Sequence, residues 1–374
     1  MDALRELDGL GGMRIPDTLQ RSLFTQLFSE FDAFTGSLLK VIYKSKEDLL
    51  KGISRQITFA DLLSYENLND VKIDMLEKEI ENFRRDGYVD QFIALENKFG
   101  LKLRGFSEWG EFIELSQRRN LIVHNGGIVN DQYLIICDKE KFQFIQRPNT
   151  GDILKPDGKY FTRATIIVSK VAFMLCHTLW SKIFPNQRLD AQEAANGSLY
   201  ALLLDKRWST AYEIGLFCLS EPMRSPIEDI DLRLRTINVA IAAKFSKNAR
   251  RCEEIIKTLD WSASIRDFKL AISVLTERFD EASVLMKQIG KNGELVTQFG
   301  YHEWPLFYEF RKTEQFLNSY KEVYEVSFIA EEVRHSAEVA KANEEEFNKS
   351  VTDIVDVVPE SIPKKRSRKT TSLQ

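Results

Sequence analysis

The stretch from Pro16 to Val41 constrains the fold most. Leu19, Leu23, Phe24, Leu27, Phe28, Phe31 and Phe34 recur at steps of three and four, so a long helix here has one wide apolar face that other elements must cover. Asp61–Leu68 and Val71–Phe83 predict two more helical pieces, and Gly87 breaks the pattern before a helix over Val89–Phe99. A further helix is expected from Ser107 to His124, with Trp109, Phe112 and Ile113 on its inner face. Asn125-Gly126-Gly127 stops it, because glycine accepts the left-handed conformation found just past helix ends. Lys159 to Phe184 reads as a long apolar helix ended by Pro185. With 9 Pro and 18 Gly in 374 residues, punctuation is too sparse for a many-turned β-sandwich. Two short β-rich runs, Tyr133–Cys137 and Phe142–Gln146, flank the polar Asp138–Lys141 and predict a small hairpin inserted into the helical domain.

Beyond about residue 190 the texture becomes helix–turn–helix. Phe245-Ser246-Lys247-Asn248-Ala249 and Phe279-Asp280-Glu281-Ala282 look alike at an offset of 34 residues (279 − 245), and Trp208-Ser209-Thr210-Ala211 is a looser copy. Helix pairs at that period resemble the tetratricopeptide class in architecture, although the Trp/Leu/Gly/Tyr signature of its first helix is missing. An irregular helical domain with chance similarity is the alternative. The expected organisation is all-α: a helical domain over 1–190, a tetratricopeptide-like domain over 191–340 and a basic tail over 341–374. Five of the six residues Lys364–Lys369 are basic. They read as a solubilising tail, with phosphate attraction or a localisation signal as the other possibility.

Several function classes are excluded. A net charge of −4 rules out a globally basic nucleic-acid binder but leaves room for a local basic groove. Cys137, Cys176, Cys218 and Cys252 are far apart in sequence, which suggests thiols in a reducing compartment. There is no run of about 18 apolar residues to span a membrane, and no apolar core follows a basic start at the N-terminus. A cytoplasmic location is therefore expected. No Gly-Lys-Ser/Thr phosphate loop and no Gly-x-Ser-x-Gly elbow are present, and no two of the Cys and His have zinc-ligand spacing. Gly9, Gly11 and Gly12 follow no apolar strand, and Glu228, Asp229 and Asp231 read as charges at a helix start. No metal or cofactor is expected. His177 reads as a core or domain-interface imidazole, His302 as part of a loop-to-helix junction and His335 as a residue of a solvated face.

His124 differs. In Gln117-Arg118-Arg119-Asn120-Leu121-Ile122-Val123-His124-Asn125-Gly126-Gly127, two Arg, two Asn and one His crowd the end of a helix. Asn120 and His124 are four apart and share a face. Arg119 lies about 140° around an ideal helix from His124, so its side chain must curl back or meet a neighbouring subunit. A helix end at which cationic side chains favour the dipole would also account for the cluster.

These residues resemble the signature of the HEPN superfamily: Arg, a polar residue and then His, near the end of a helix in an all-α bundle. RRNLIVHNGG matches at all three positions with the shortest spacer, and the likeness covers roughly residues 17–190. The resemblance implies a metal-independent endoribonuclease of the toxin or antiviral-defence kind acting as a homodimer. Other members are inactive or serve as binding modules. Under the catalytic reading, His124 is general acid/base, Arg119 stabilises the phosphoryl charge and Asn120 orients. Arg118 and Asn125 would contact the substrate. The substrate would be RNA, because the 2′-OH is the nucleophile, and the second domain would bind a protein regulator or trigger. The rival reading is a non-catalytic HEPN-like dimerisation or nucleotide-binding scaffold whose helical repeats bind a protein.

Overall fold

A computed structural model describes residues 15–53, 56–221, 223–224 and 227–329. The basic tail, His335 and the three N-terminal glycines lie outside them. The chain divides into two compact units between Ile183 and Phe184. Among the described residues both are helical, with no strand and only two isolated bridges, Ile128 with Ile153 and Asn292 with Thr297.

In the first unit the predicted long helix is α1, Ile15–Ser45. Its stripe buries Phe24, Phe28 and Phe31 against α2 (Leu68–Arg85), α4 (Trp109–His124) and α6 (Gly158–Ile183). Helix α3, Tyr88–Phe99, starts at the Gly87 break and adds Tyr88 and Phe92. Phe112 of α4 lies at the centre of this aromatic cluster, with ring centroids 5.4 Å from Phe31, 5.5 Å from Tyr88 and 5.9 Å from Phe92. The piece expected over Asp61–Leu68 is only a single turn, Phe59–Leu62, with no buried residue.

The expected hairpin is absent. Asp131–Lys139 is a helix, α5, opened by Asn130, whose side chain accepts from the Tyr133 amide. Tyr133 and Cys137 are buried and four apart, while Ile135 between them is exposed, so the period is helical. The β-branched Ile135 and Ile136 suggested a strand, but burial on one helix face outweighs that local preference. Residues 142–146 are irregular and fold back so that Phe142 and Phe144 cover the cluster of Leu121, Val129, Tyr133 and Cys137.

Helix α6 is long and apolar enough to cross a membrane by length and composition. Here Ala164, Ile167, Val168, Val171, Leu175 and Leu179 along it are buried, and it packs on α1, α3 and α4. All four cysteines are free, and burial pushes the Cys137 and Cys218 thiols up to about 12.

The second unit contains three helical hairpins: α7 (Arg188–Leu204) with α8 (Trp208–Cys218), α9 (Asp229–Phe245) with α10 (Ala249–Ile256), and α11 (Arg266–Leu275) with α12 (Phe279–Ile289). Each turns through one left-handed residue, Lys206, Lys247 or Glu277, with φ of 56°, 62° and 59°. Each also closes with a six-residue backbone bond, from the Arg207, Asn248 and Arg278 amides to the Leu202, Ala243 and Ser273 carbonyls. The equivalent positions are therefore Trp208, Ala249 and Phe279, spaced 41 and 30 residues apart (249 − 208 and 279 − 249). The 34-residue offset compared unlike positions, because Phe245 ends α9 while Phe279 starts α12. Helix α9 is buried all round from Arg235 to Ala243, and midway along it Asn238 Oδ1 accepts from the Trp304 indole N–H at 3.0 Å.

Glu108, just before α4, accepts from Lys170 of α6 at 2.7 Å, and both side chains are largely buried. Burial opposes the Glu108 charge, but the bonds from Lys170 and Ser107 outweigh it and hold its pKa below the ordinary 4.5. A carboxyl with a depressed folded-state pKa stabilises fully above its unfolded value, and the contribution is lost as pH falls through the folded one. Glu108→Gln should therefore lower the melting temperature at pH 7. Its deficit relative to the unchanged protein should shrink as pH drops below 4.5. Melting curves across that range check this, and a constant deficit would contradict the linkage.

Candidate functional site

Helix α4 is held on α6 by acidic residues at three-residue spacing. Glu108 meets Lys170, Glu111 takes the Nε and Nη2 of Arg163 at 2.9 and 2.8 Å, and Glu114 accepts from the Tyr160 hydroxyl at 2.6 Å. The partners descend along α6 as the glutamates ascend along α4, so the two helices run antiparallel in a fixed register. Glu114, 1% exposed, also accepts from the Tyr133 hydroxyl at 2.6 Å and from Arg118 at 2.8 Å. Arg118 lies over the Tyr160 ring, 4.0 Å from its centroid. The nearby phenol, carboxylate and hydrogen bonds outweigh its burial and raise its pKa. The structure thus turns Arg118 away from Arg119 and His124.

Arg119, Asn120 and His124 line a separate open groove of about 460 Å³ with Asp32, Arg84 and Tyr88. One chain therefore brings Arg119 and His124 to the same groove despite their separation around the helix. Arg119 reaches back over α1. Its Nη2 donates to Asp32 Oδ2 at 3.4 Å and to the Tyr88 hydroxyl at 3.3 Å, and its Nη1 donates to Asn120 Oδ1 at 3.2 Å. Tyr88 itself donates to Asp32 at 2.6 Å. Burial, then the Asp32 charge, raises the Tyr88 pKa, so the hydroxyl keeps its proton. Asp32 and Tyr88 together fix the guanidinium. His124, in the last turn, is exposed and makes no hydrogen bond among the described residues.

Asn125 also borders the groove, but its side-chain amide donates to the Ile128 carbonyl at 2.7 Å and closes the turn after α4. Both the Asn125 and Gly127 amides donate to the Leu121 carbonyl, at 2.8 and 2.9 Å. Gly127 has φ of 87°, and a Cβ there would sit 2.8 Å from the Leu154 carbonyl oxygen. Arg21 of α1 donates to the Gly126 carbonyl at 2.6 Å. The end of α4 is thereby tied to α1 and to the segment before α6. Leu121 is buried beneath the motif, whereas Val123 is 47% exposed and contributes to the surface.

Asp32, Tyr88, Arg84 and Arg85 are groove residues that sequence reasoning missed. The basic pair is visible as Phe83-Arg84-Arg85-Asp86-Gly87, cations at a helix end before a break. Arg85 pairs with Glu81, while Arg84 makes no ion pair among the described residues. Nothing in the sequence ties Asp32 to Arg119, 87 residues apart. Among the described residues no group of three or more His, Cys, Asp or Glu is placed to hold a metal. Comparison with protein-family models, with curated proteins and with solved structures gives no match.

The geometry separates groups that hold the fold from groups that face solvent. His124→Ala and Asn120→Ala should each change stability by no more than about 0.5 kcal/mol. Gly127→Ala should lose at least about 1 kcal/mol, because alanine is strained at that φ and its methyl meets the Leu154 carbonyl. Denaturant titration of the three variants checks the order. A His124→Ala protein destabilised as much as Gly127→Ala would show that the imidazole holds the helix end.

Proposed function

We propose that this chain is a metal-independent endoribonuclease of the HEPN type. The observation that supports the reading best is that Arg119, Asn120 and His124 line one groove in which Arg119 is fixed and His124 is free to move a proton. In the proposed reaction the 2′-OH of RNA attacks the adjacent phosphorus and loses its proton. The P–O5′ bond breaks, and the departing 5′-oxygen gains a proton. The products are a 2′,3′-cyclic phosphate and a 5′-hydroxyl. His124 exchanges a proton with one of these oxygens, and Arg119 stabilises charge on the phosphoryl oxygens. Arg84 extends the cationic lining on a second helix. Asn125 and Arg118 are engaged within the fold, so they act in this reading as positioning residues.

One chain supplies one imidazole to the groove, and the reaction needs both a base and an acid. The reading therefore pairs two chains through the α4 ends, where Val123 is exposed next to His124 in sequence, so that a second His124 is present. The helical hairpins of the second unit, read as tetratricopeptide-like, would bind a protein regulator. A toxin or defence role and a cytoplasmic setting belong to the same proposal. A non-catalytic scaffold is the second reading. It is favoured by the contacts of Arg119 with Asp32 and Tyr88, which would also suit a purely structural arginine.

Labelled RNA incubated with the protein in EDTA should be cut to fragments ending in 2′,3′-cyclic phosphate or 3′-phosphate, and DNA should not be cut. Arg119→Ala and His124→Ala should each reduce the rate by about 10²–10⁴-fold while remaining folded. Cleavage that leaves 3′-hydroxyl ends and requires added Mg²⁺, or full activity in His124→Ala, would contradict the proposal. In sedimentation the active species should be a dimer. Arg84→Ala should make RNA binding less salt-dependent, by about 0.7 in the logarithmic slope for one lost contact to single-stranded phosphate.

A further inference from the structure

On the other side of α4 lies a second cavity, of about 510 Å³, that the proposed ribonuclease reaction does not use. Glu114, Arg118 and Tyr160 line it from the helices. Lys141, Phe142 and Phe144 line it from the irregular segment that stands where a hairpin was expected. That segment is set close against α4. A Cβ on Gly110 would lie 2.9 Å from the Glu140 carbonyl oxygen and 3.0 Å from the Phe142 amide. Trp109 of α4 also donates its indole N–H to Glu140 at 2.7 Å.

The polar groups of this wall are unevenly satisfied. Both oxygens of Glu111 accept from Arg163, and both oxygens of Glu114 accept from Arg118, Tyr133 or Tyr160. The cations are not fully engaged. Arg118 gives Nε and Nη2 to Glu114, and its Nη1 has no partner among the described residues. The ammonium of Lys141 has none either. Arg118 is also held rigid, since its side chain is 15% exposed and its guanidinium is clamped between Glu114 and the Tyr160 ring. The charge that remains available is thus cationic, with the neutral amides of Gln143 and Gln146 also on the lining. Beside it are apolar surfaces: Phe142 and Phe144 in edge-to-face contact at 4.8 Å, and the Tyr160 ring.

We infer that this cavity binds a small amphipathic anion, with a carboxylate or phosphate between Arg118 and Lys141 and an apolar body against Phe142 and Phe144. The volume falls in the range of ligand pockets, and a few convergent polar groups in an apolar wall are what such sites use for orientation. An oxyanion fits the two cations through hydrogen bonds charged on both sides, whereas a neutral amide of the same shape offers one uncharged acceptor oxygen and an NH2 that neither cation can use. The inference stands apart from the ribonuclease reading, because none of these residues touches RNA in the proposed cleavage and only Arg118 enters it, as a positioning residue.

Calorimetric titration of the full chain tests it with N-acetylphenylalanine, phenyl phosphate and the neutral N-acetylphenylalaninamide. At least one anion should bind saturably at one site per chain, and the amide at least about tenfold more weakly. Which anion binds assigns the headgroup as carboxylate or phosphate. Arg118→Gln would leave Glu114 buried without its cation and could fail to fold, so Lys141→Gln is the informative variant. It should melt like the unchanged protein and weaken the anion about tenfold. Arg84→Ala, in the other groove, should leave this binding unchanged. The inference is overturned if neither anion binds at millimolar concentration or if anion and amide bind alike. It is also overturned if Lys141→Gln binds normally or if Arg84→Ala abolishes binding.

Discussion

The buried carboxylate of Glu114 is the interaction on which the first unit depends. It gathers the Arg118 guanidinium and two tyrosine hydroxyls, and so joins α4, α5 and α6 at one point. A charge 1% exposed is tolerable only when it is paired and hydrogen-bonded on all sides, and removing one partner from such a group typically costs about 3–5 kcal/mol. Glu108 and Glu111 extend the same contact along α6 and lock the rotation of α4 about its axis. Once that rotation is set, Arg118 faces the Tyr160 side, and Arg119, one residue on, faces α1 and α3.

The motif therefore consists of parts with different mechanical character. Arg119 is half-buried and fixed by an acid and a phenol from two other helices. Asn125, Gly126 and Gly127 form a closed turn stapled by Arg21. His124 sits between these fixed parts with an unconstrained ring. A fixed cation beside an exposed, unbonded imidazole is the arrangement that the proposed proton transfer at a phosphate needs. The cation must be preorganised where charge develops, and the proton carrier must be able to reach its oxygen. Asp32 offsets part of the positive charge of Arg119, and Arg84 adds to it from the end of α2.

The helices were legible wherever a wide apolar face had to be buried. The Pro16–Val41 stripe became α1, and the Gly87 and Gly126-Gly127 breaks fall at helix ends. Two features were not legible, each for a physical reason. Tyr133–Cys137 has strand-like composition, and its helical period appears only once Tyr133 and Cys137 are seen to share a buried face while Ile135 is exposed. The repeat in the second unit is one of backbone turns, with Lys206, Lys247 and Glu277 all left-handed. Side-chain likeness between Phe245 and Phe279 pointed to the wrong register. At the site, the local cluster around His124 was readable because it is contiguous. The residues that orient it come from distant helices and leave no trace in spacing. The division of labour between Arg118 and Arg119 likewise follows from Glu114, which lies four residues before one and five before the other.

The central claim is that the groove containing Arg119 and His124 receives an RNA strand. The most direct measurement is a proton NMR titration of the His124 ring with an oligonucleotide whose 2′-oxygens are methylated, so that it binds without being cut. The account predicts that the His124 ring resonances move in a saturable way with the bound fraction, and that Arg119→Ala reduces that movement without unfolding the chain. Binding of the oligonucleotide with no change at His124 would contradict it.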